Sequence, residues 1–315
     1  MDDCRAVVAA LALMTLTASA APPDFSAQLD KLWNYAQPAE SETRFRAELA
    51  KYPAASREAL EIETQIARTQ GLTRKFDAAD KTLDAVLPRL DAVPVRVKVR
   101  YFLERGRTRN SSGDRPAAMS LFHEALKLSD RDTLPGADFY RVDTLHMLAI
   151  AAPADEQLDW NLKALAAAAA SSNDERARGW AASLNNNIGW TYFNRGDAAT
   201  ALAHWQKALP LREAQGNALN IRIAKWAIAR GHRALGQLDE AEKIQLALAA
   251  ETERLNEPDG YVFEELAEIT YAKGDKDAAK SWAVKAQAHL KDDPDMASET
   301  VRLTRLANMA QGKAP

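Results

Sequence analysis

The histidine residues of this sequence do not form a catalytic or metal-binding motif. None of the five lies four positions from another, the spacing that places two imidazoles on one face of a helix. His123 and Glu124 begin like the His-Glu-X-X-His motif of zinc peptidases, but Lys127 stands in place of the second histidine. The sequence therefore predicts no zinc site at this position.

Other motifs of catalysis and cofactor binding are missing as well. The sequence lacks the glycine-rich loops that hold nucleotide phosphates and the Gly-X-Ser-X-Gly turn that presents a nucleophilic serine. Asp292, Asp293 and Asp295 are acidic enough to suggest calcium, but the glycine and distal glutamate of a calcium loop are absent, so we expect a helix cap. We predict no catalytic residue, no cofactor and no metal, and therefore a protein that is not an enzyme.

Composition and charge exclude several classes of partner. The 315 residues include 41 basic and 44 acidic side chains, which gives a net charge of −3 at pH 7. This balance rules out the broad positive surface of a nucleic-acid-binding protein. A single cysteine excludes a disulfide framework, and 47% hydrophobic residues with only 13 glycines and 13 prolines indicate a folded, helical protein.

The clearest structural signal is a helix–turn–helix unit around Gly196 and Asp197. Glycine permits the left-handed backbone that ends one helix, and the aspartate can cap the next. Gly189 and Ala201 are small where two antiparallel helices would cross, so we expect them to face each other. Trp205 is large enough to fill the space beside that crossing.

The same unit recurs in phase along most of the chain. Turns are predicted near residues 74, 113, 152, 196, 236 and 274, at spacings of 38 to 44 residues. Small and aromatic residues recur at matching offsets from these turns, which predicts that they pack the two helices of each unit together. These repeat-packing residues are Gly106, Ala118, Ala125, Gly189, Tyr192, Ala201, Trp205, Ala208, Ala229, Ala241, Ala267 and Ala279.

The unit at Gly196 resembles the tetratricopeptide repeat (TPR), which has an aliphatic-Gly pair and a tyrosine on its first helix and an Ala-X-X-X-aromatic pattern on its second. The matching residues are Ile188, Gly189, Tyr192, Ala201, Trp205 and Ala208. The family's early tryptophan is replaced by Asn185. The resemblance implies an all-α fold, a right-handed superhelical solenoid of antiparallel helix pairs with terminal capping helices. The spacing between turns exceeds the family's usual 34 residues, so the array resembles the long-repeat branch of the family. Together with the N-terminal segment described below, this leads us to expect a bacterial exported member.

We predict four regions along the chain. Residues 1–20 form a signal peptide, 21–59 an N-terminal helical cap, 60–293 an array of about six repeats, and 294–315 a C-terminal capping helix. The caps are needed because a terminal repeat would otherwise leave an apolar face uncovered.

The resemblance also implies a binding surface, because the first helices of TPR units line a concave groove. Carried over to the units at Gly196 and Gly236, the groove residues are Asn186, Trp190, Asn194, Trp226, Arg230 and Arg233. Each set of three shares one helical face by its spacing. Since tryptophan and arginine dominate binding hot spots, we expect a protein or extended peptide segment as the partner.

Two other interpretations of these residues remain open. In the first, the tryptophans only pack between stacked repeats. In the second, Arg230 and Arg233 form ion pairs with Glu264 and Glu268 of the next helix. For the function, a non-enzymatic scaffold or adaptor of the cell envelope stands first. The alternative is a sensor that binds a peptide or small ligand in the same groove.

The N-terminus has the features of an export signal. Residues 6–18 form an uncharged apolar run that is too short to span a bilayer, which needs about 20 residues. Ala18 and Ala20 have the small-X-small spacing of a signal-peptidase site. We therefore expect a periplasmic or secreted protein without a membrane span. Asp2 and Asp3 are unusual ahead of such a run and leave a cytoplasmic location as the alternative.

Cleavage after Ala20 would place Ala21 at the mature N-terminus. We expect N-terminal sequencing of the protein recovered from its native host to read from Ala21. A chain in the soluble cytosolic fraction that still begins at Met1 or Asp2 would contradict export.

Overall fold

The computed structural model describes residues 25–129 and 136–315, where all regular secondary structure is helical, as predicted. The predicted signal peptide, residues 1–20, lies outside the described residues. The helices are α1 (Phe25–Asp30), α2 (Pro38–Leu49), α3 (Arg57–Leu72), α4 (Phe76–Val86), α5 (Val95–Ser111), α6 (Arg115–Ser129), α7 (Ala137–Ala151), α8 (Gln157–Ala170), α9 (Glu175–Gly179), α10 (Ala181–Asn194), α11 (Ala198–Gln215), α12 (Ala218–Ala234), α13 (Leu238–Arg254), α14 (Gly260–Ala272), α15 (Lys276–Leu290) and α16 (Thr300–Ala310). Two 3-10 helices, Leu87–Ala92 and Pro294–Met296, follow α4 and α15.

Six antiparallel helix pairs form the body of a solenoid. They are α3/α4, α5/α6, α7/α8, α10/α11, α12/α13 and α14/α15, and each pair packs against the next. Within the pair α10/α11, Gly196 has a φ of +84°, a backbone conformation that costs glycine little because it has no Cβ. The Asp197 carboxylate then accepts a hydrogen bond from the Thr200 amide at 3.0 Å and caps α11.

The turn between α7 and α8 is built differently. Ala152 is extended, with φ −63° and ψ 155°, because the ring of Pro153 disfavours a helical residue before it. After this pair the chain inserts the short helix α9, which packs on both α7 and α8 before α10 begins. The inserted helix accounts for the longest spacing in the array, 44 residues between the turns near 152 and 196.

Within a pair, a glycine on the first helix receives an aromatic ring from the second. A Cβ at Gly189 would lie within 3 Å of three atoms of the Trp205 indole, and a Cβ at Gly106 would meet Phe122 in the same way. Both rings are fully buried. The atoms nearest to a Cβ at Gly189 therefore all belong to Trp205, because the indole fills the space that the glycine leaves. The expected contact between Gly189 and Ala201 stays a prediction.

The other repeat-packing residues lie in or beside the core. Those with at most 2% of their surface exposed are Ala118, Ala125, Ala201, Ala208, Ala229, Ala241, Ala267 and Ala279. Tyr192 is half-buried and stacks on His204, with the ring centroids 5.8 Å apart.

Helices at both ends of the described chain cover the outer pairs. Leu29 of α1 and Phe45 of α2 pack with Ile62 of α3. At the other end, Leu306 and Met309 of α16 join the core of the last two pairs. These contacts bury the apolar faces that the terminal pairs would otherwise expose to water.

A leucine at Gly189 should force α10 and α11 apart. We expect Gly189→Leu to lower the stability by about 1–3 kcal/mol, the usual cost of overpacking a core. The measurement is the midpoint of thermal unfolding. The control is Gly179→Leu, since Gly179 is exposed and its nearest neighbouring atom is 3.9 Å from the added Cβ. Equal midpoints for the two variants would contradict the close approach at Gly189.

Candidate functional site

Two tryptophans and an arginine from α10 and α12 meet at the junction between two helix pairs. The rings of Trp190 and Trp226 have their centroids 5.9 Å apart. The guanidinium of Arg230 lies over both rings, 5.9 Å from the centroid of Trp190 and 5.3 Å from that of Trp226. It is also 5.5 Å from the ring of Phe193. These four residues are called the aromatic cluster below.

The tryptophans of the cluster also have a packing role. Trp190 contacts the buried Trp205 with ring centroids 4.9 Å apart. The indole N–H of Trp226 donates a hydrogen bond to the carbonyl of Tyr261 at 3.1 Å, which ties α12 to α14. Both rings nevertheless remain half-buried. The same side chains therefore stack the repeats and present an aromatic surface to solvent.

The two arginines of the predicted groove share a buried glutamate. Arg230 donates from Nη1 to Oε1 of Glu265 at 2.8 Å, and Arg233 donates from Nε to Oε2 at 2.7 Å. Only 1% of the Glu265 surface is exposed. An ion pair with the next helix is thus present, but its acceptor is neither Glu264 nor Glu268, the two partners that the sequence suggested.

Glu264 and Glu268 have other partners. Glu264 binds Arg302 of α16, and Glu268 binds Arg305, whose Nη2 lies 2.7 Å from Oε2. Consecutive residues on a helix point about 100° apart, so one residue's difference decides which neighbour a carboxylate faces. The orientation of α14 relative to α12 cannot be read from the sequence, and Glu265 was therefore not predicted as the partner of the arginines.

The trio of Arg230, Arg233 and Glu265 keeps one net positive charge. Burial opposes the charged form of Arg233, but the hydrogen bond and the charge of Glu265 outweigh it and raise the pKa of this guanidinium. The Nε of Arg230 is buried and has no hydrogen-bond partner within the described chain. The arginines are therefore fixed in position and still carry charge for which Glu265 does not fully compensate.

The predicted asparagines lie beside the cluster and not in it. The carbonyl of Asn186 accepts a hydrogen bond from the Trp205 indole at 3.2 Å, while its side chain is 3.4 Å from the amide oxygen of Asn187. Asn194 is exposed at the last residue of α10. Of the six predicted groove residues, Trp190, Trp226, Arg230 and Arg233 are brought together by the structure.

Ion pairs join the first helices elsewhere in the solenoid. Arg68 of α3 and Arg107 of α5 both donate to Oε1 of Glu104, at 3.2 and 2.6 Å. Arg107 continues to Asp143 of α7, where the two carboxylate oxygens are 2.5 and 2.6 Å away. Although burial acts against both charges, the two groups hold each other ionised, with the pKa of Arg107 raised and that of Asp143 lowered.

His146 follows Asp143 on α7 and is held neutral by its surroundings. Burial lowers the pKa of its imidazole to about 4, an effect that Asp143 opposes and Arg107 reinforces. The ring lies 4.8 Å from that of Trp180, and Nδ1 is 3.5 Å from the Asn187 side-chain nitrogen. His146 consequently fills the space between α7 and α10 as an uncharged ring at neutral pH.

Residues 181–214 match the family model of the tetratricopeptide repeat. This segment contains α10 and most of α11, and so includes the contact between Gly189 and Trp205. Among curated protein sequences, none matches the chain.

Several solved structures superpose on the described helices. One is a signal-transduction ATPase with a tetratricopeptide repeat sensor from Pyrococcus horikoshii, with a TM-score of 0.67 and 14% identity over 91% of this chain. The matched part is 44% of that ATPase, so this chain spans less than half of its length. RapI in its apo form matches with a TM-score of 0.64 and 10% identity, covering 91% of this chain and 86% of RapI. A Rap protein complexed with Competence and Sporulation Factor matches with a TM-score of 0.57 and 15% identity, covering 90% and 80% of the two chains.

The fold is a TPR solenoid. Within residues 25–129 and 136–315, no helix of this solenoid is both long and apolar enough to cross a bilayer. In the same ranges, no three histidine, cysteine, aspartate or glutamate side chains come together as a metal site would require.

Removing the two arginines should leave the Glu265 carboxylate buried without a cation. We expect Arg230→Ala, Arg233→Ala to lose about 3–5 kcal/mol of folding free energy at pH 7, the usual effect of breaking a buried pair. Adding Glu265→Gln to this double variant should restore much of the loss, because the isolated charge is then gone. The measurement is equilibrium unfolding in urea.

The control for this experiment is Arg305→Ala, which breaks the exposed pair with Glu268. It should cost no more than about 1 kcal/mol, as surface ion pairs do. A double variant no less stable than this control would show that Glu265 does not depend on the arginines.

Proposed function

We propose that this TPR solenoid binds an extended protein or peptide segment on the surface formed by its first helices, with the aromatic cluster as the principal contact. It would act as a non-enzymatic scaffold or adaptor. The observation that carries the proposal is the arrangement of half-buried tryptophan rings beneath an arginine that Glu265 holds in place.

The cluster has the composition and rigidity of a binding hot spot. Tryptophan and arginine are enriched at such positions, where burial by a partner removes a large aromatic area from water. The Trp226 indole and the Arg230 guanidinium are already fixed by hydrogen bonds to α14. A ligand would therefore meet side chains that have little rotamer freedom left to lose on binding.

The charge of the site favours an acidic group on the ligand. Two guanidinium groups share one carboxylate, so one positive charge remains at the edge of the aromatic surface. A guanidinium can hold a carboxylate through two parallel hydrogen bonds, whereas lysine offers only a point charge. We therefore propose an extended segment that carries an aspartate, a glutamate or a terminal carboxylate.

A peptide sensor is the second candidate for the same surface. Two of the similar folds suggest it: one is described as a tetratricopeptide repeat sensor, and the other is a Rap protein in complex with Competence and Sporulation Factor. A scaffold and a sensor differ in the consequence of binding. A sensor would change its shape or its partner when the peptide arrives, whereas a scaffold would hold two partners together.

We further propose that the protein works outside the cytoplasm, on the basis of the apolar run and the cleavage signature at its N-terminus. In that location its partner would be another envelope or secreted protein. Sequencing of the mature N-terminus tests this proposal separately from the binding site.

Photo-crosslinking tests which surface meets the partner. Benzoylphenylalanine placed at Asn194, which is exposed one helical turn after Trp190, should capture a protein or peptide from an extract of the native host. The same group at Leu246, which is exposed on the second helix α13, serves as the control. Capture only from Leu246 would contradict binding at the cluster.

The captured partner then allows an affinity measurement. Arg230→Lys keeps the positive charge beside Glu265 but loses the planar group over the rings. We expect it to weaken binding by at least about 2 kcal/mol, as loss of a hot-spot side chain does, while the unfolding midpoint stays close to that of the parent. Unchanged affinity would remove Arg230 from the site.

A further inference from the structure

A cavity lies where the pairs α12/α13 and α14/α15 adjoin. Its volume is about 600 Å³. The first half of α12, the end of α13, the loop before α14 and the end of α15 form its walls. This surface is distinct from the aromatic cluster, although the Trp226 ring is shared between them. It is called the edge cavity below.

One wall of the edge cavity is an exposed apolar stripe on α12. Leu219 and Ile223 have 55% and 45% of their surfaces exposed, and with Trp226 they follow an i, i+4, i+7 spacing along one helical face. The stripe extends over about 10 Å of helix, at 1.5 Å per residue. Exposed apolar side chains that line a cavity together mark interaction surfaces more often than single exposed ones do.

The floor of the edge cavity is rigid and apolar. Leu248 and Leu290 are each 1% exposed. A Cβ at Gly260 would lie within 3 Å of two atoms of Leu290, so the first turn of α14 rests directly on the end of α15. The cavity is thus a preformed depression, and a ligand would not need to open it.

The rim of the edge cavity is acidic. Glu257, Asp259, Asp293 and Asp295 line it together with a single guanidinium, that of Arg222, so the lining carries three net negative charges. Arg222 is already paired with Glu257 at 2.9 Å.

Tyr261 adds a fixed polar group to this rim. Its hydroxyl donates a hydrogen bond to Oδ2 of Asp293 at 3.0 Å. Burial and this hydrogen bond raise the pKa of Tyr261 to about 12, so the phenol stays protonated and adds no charge of its own.

We propose that the edge cavity docks a basic amphipathic helix of a partner protein. Apolar side chains of that helix would pack on Leu219 and Ile223, and its lysines or arginines would face Glu257 and Asp295. A helix fits because the exposed stripe is one face of α12, and helices pack by placing the ridge of one into the groove of another.

The acidic rim also decides against a second copy of this chain as the occupant. A two-fold contact would place the same surface of both copies together. The two acidic rims would then meet, and like charges across an interface are unfavourable. The complementary partner is basic.

A synthetic helix with leucines on one face and lysines on the other is the probe. Binding of the labelled peptide is followed by fluorescence anisotropy with the full chain. We expect Leu219→Ser, Ile223→Ser to weaken binding at least about tenfold, since two apolar contacts are lost. The matched control is Leu246→Ser, Val284→Ser, two residues of similar exposure that do not line the cavity, and it should bind like the parent chain.

A second pair of variants tests the charge of the rim. Glu257→Gln, Asp295→Asn should weaken binding and reduce its dependence on salt, whereas Glu124→Gln, Asp159→Asn on distant helices should not. Equal affinities for the cavity variants and their controls would overturn the proposal. So would self-association of the chain, measured by sedimentation, that is lost in Leu219→Ser, Ile223→Ser.

Discussion

The contact between Gly189 and Trp205 sets the geometry on which the candidate site depends. Because the glycine has no side chain, the indole occupies the space between α10 and α11 and donates its N–H to the carbonyl of Asn186. The Trp205 ring then packs against the rings of Trp190 and Phe193. Trp190 in turn meets Trp226 of the next pair. A packing contact within one pair thus positions the aromatic surface between two pairs.

The first helices carry buried carboxylates that form ion pairs with arginines. Glu265, Glu104 and Asp143 have at most 3% of their surfaces exposed. Glu265 and Glu104 each pair with two arginines, and Asp143 pairs with Arg107. A buried ion pair adds little to stability by itself, but losing one partner is costly, since the remaining charge stays in an apolar environment. These networks therefore favour one relative placement of neighbouring helices over others.

The sequence predicted the helical solenoid because its strongest signals are local. A glycine followed by an aspartate ends one helix and begins the next whatever surrounds it, as at Gly196 and Asp197. The spacing of Trp226, Arg230 and Arg233 likewise places them on one face of a helix without knowledge of the fold.

The features that the sequence could not predict depend on how helices rotate against each other. The choice of Glu265 over its neighbours Glu264 and Glu268 requires the orientation of α14 relative to α12. The sequence also placed Asn194 in the groove, whereas the structure leaves it exposed at the end of α10. The edge cavity was also beyond prediction, since its walls come from four α-helices and from the segments before α14 and after α15. The residues in these walls are up to 76 positions apart, from Leu219 to Asp295.

The inserted helix α9 has a mechanical consequence. In a solenoid, each pair is held only by its neighbours, so bending stiffness is set junction by junction. At the insertion, α10 packs against α8. Beside this contact, the neutral ring of His146 on α7 lies against Trp180, and Arg195 donates hydrogen bonds to the carbonyls of Ala154 and Asp155 in the turn between α7 and α8. The insertion therefore joins the two parts of the array through a neutral ring contact and hydrogen bonds to backbone carbonyls, and a ligand lying across this junction would add further contacts between them.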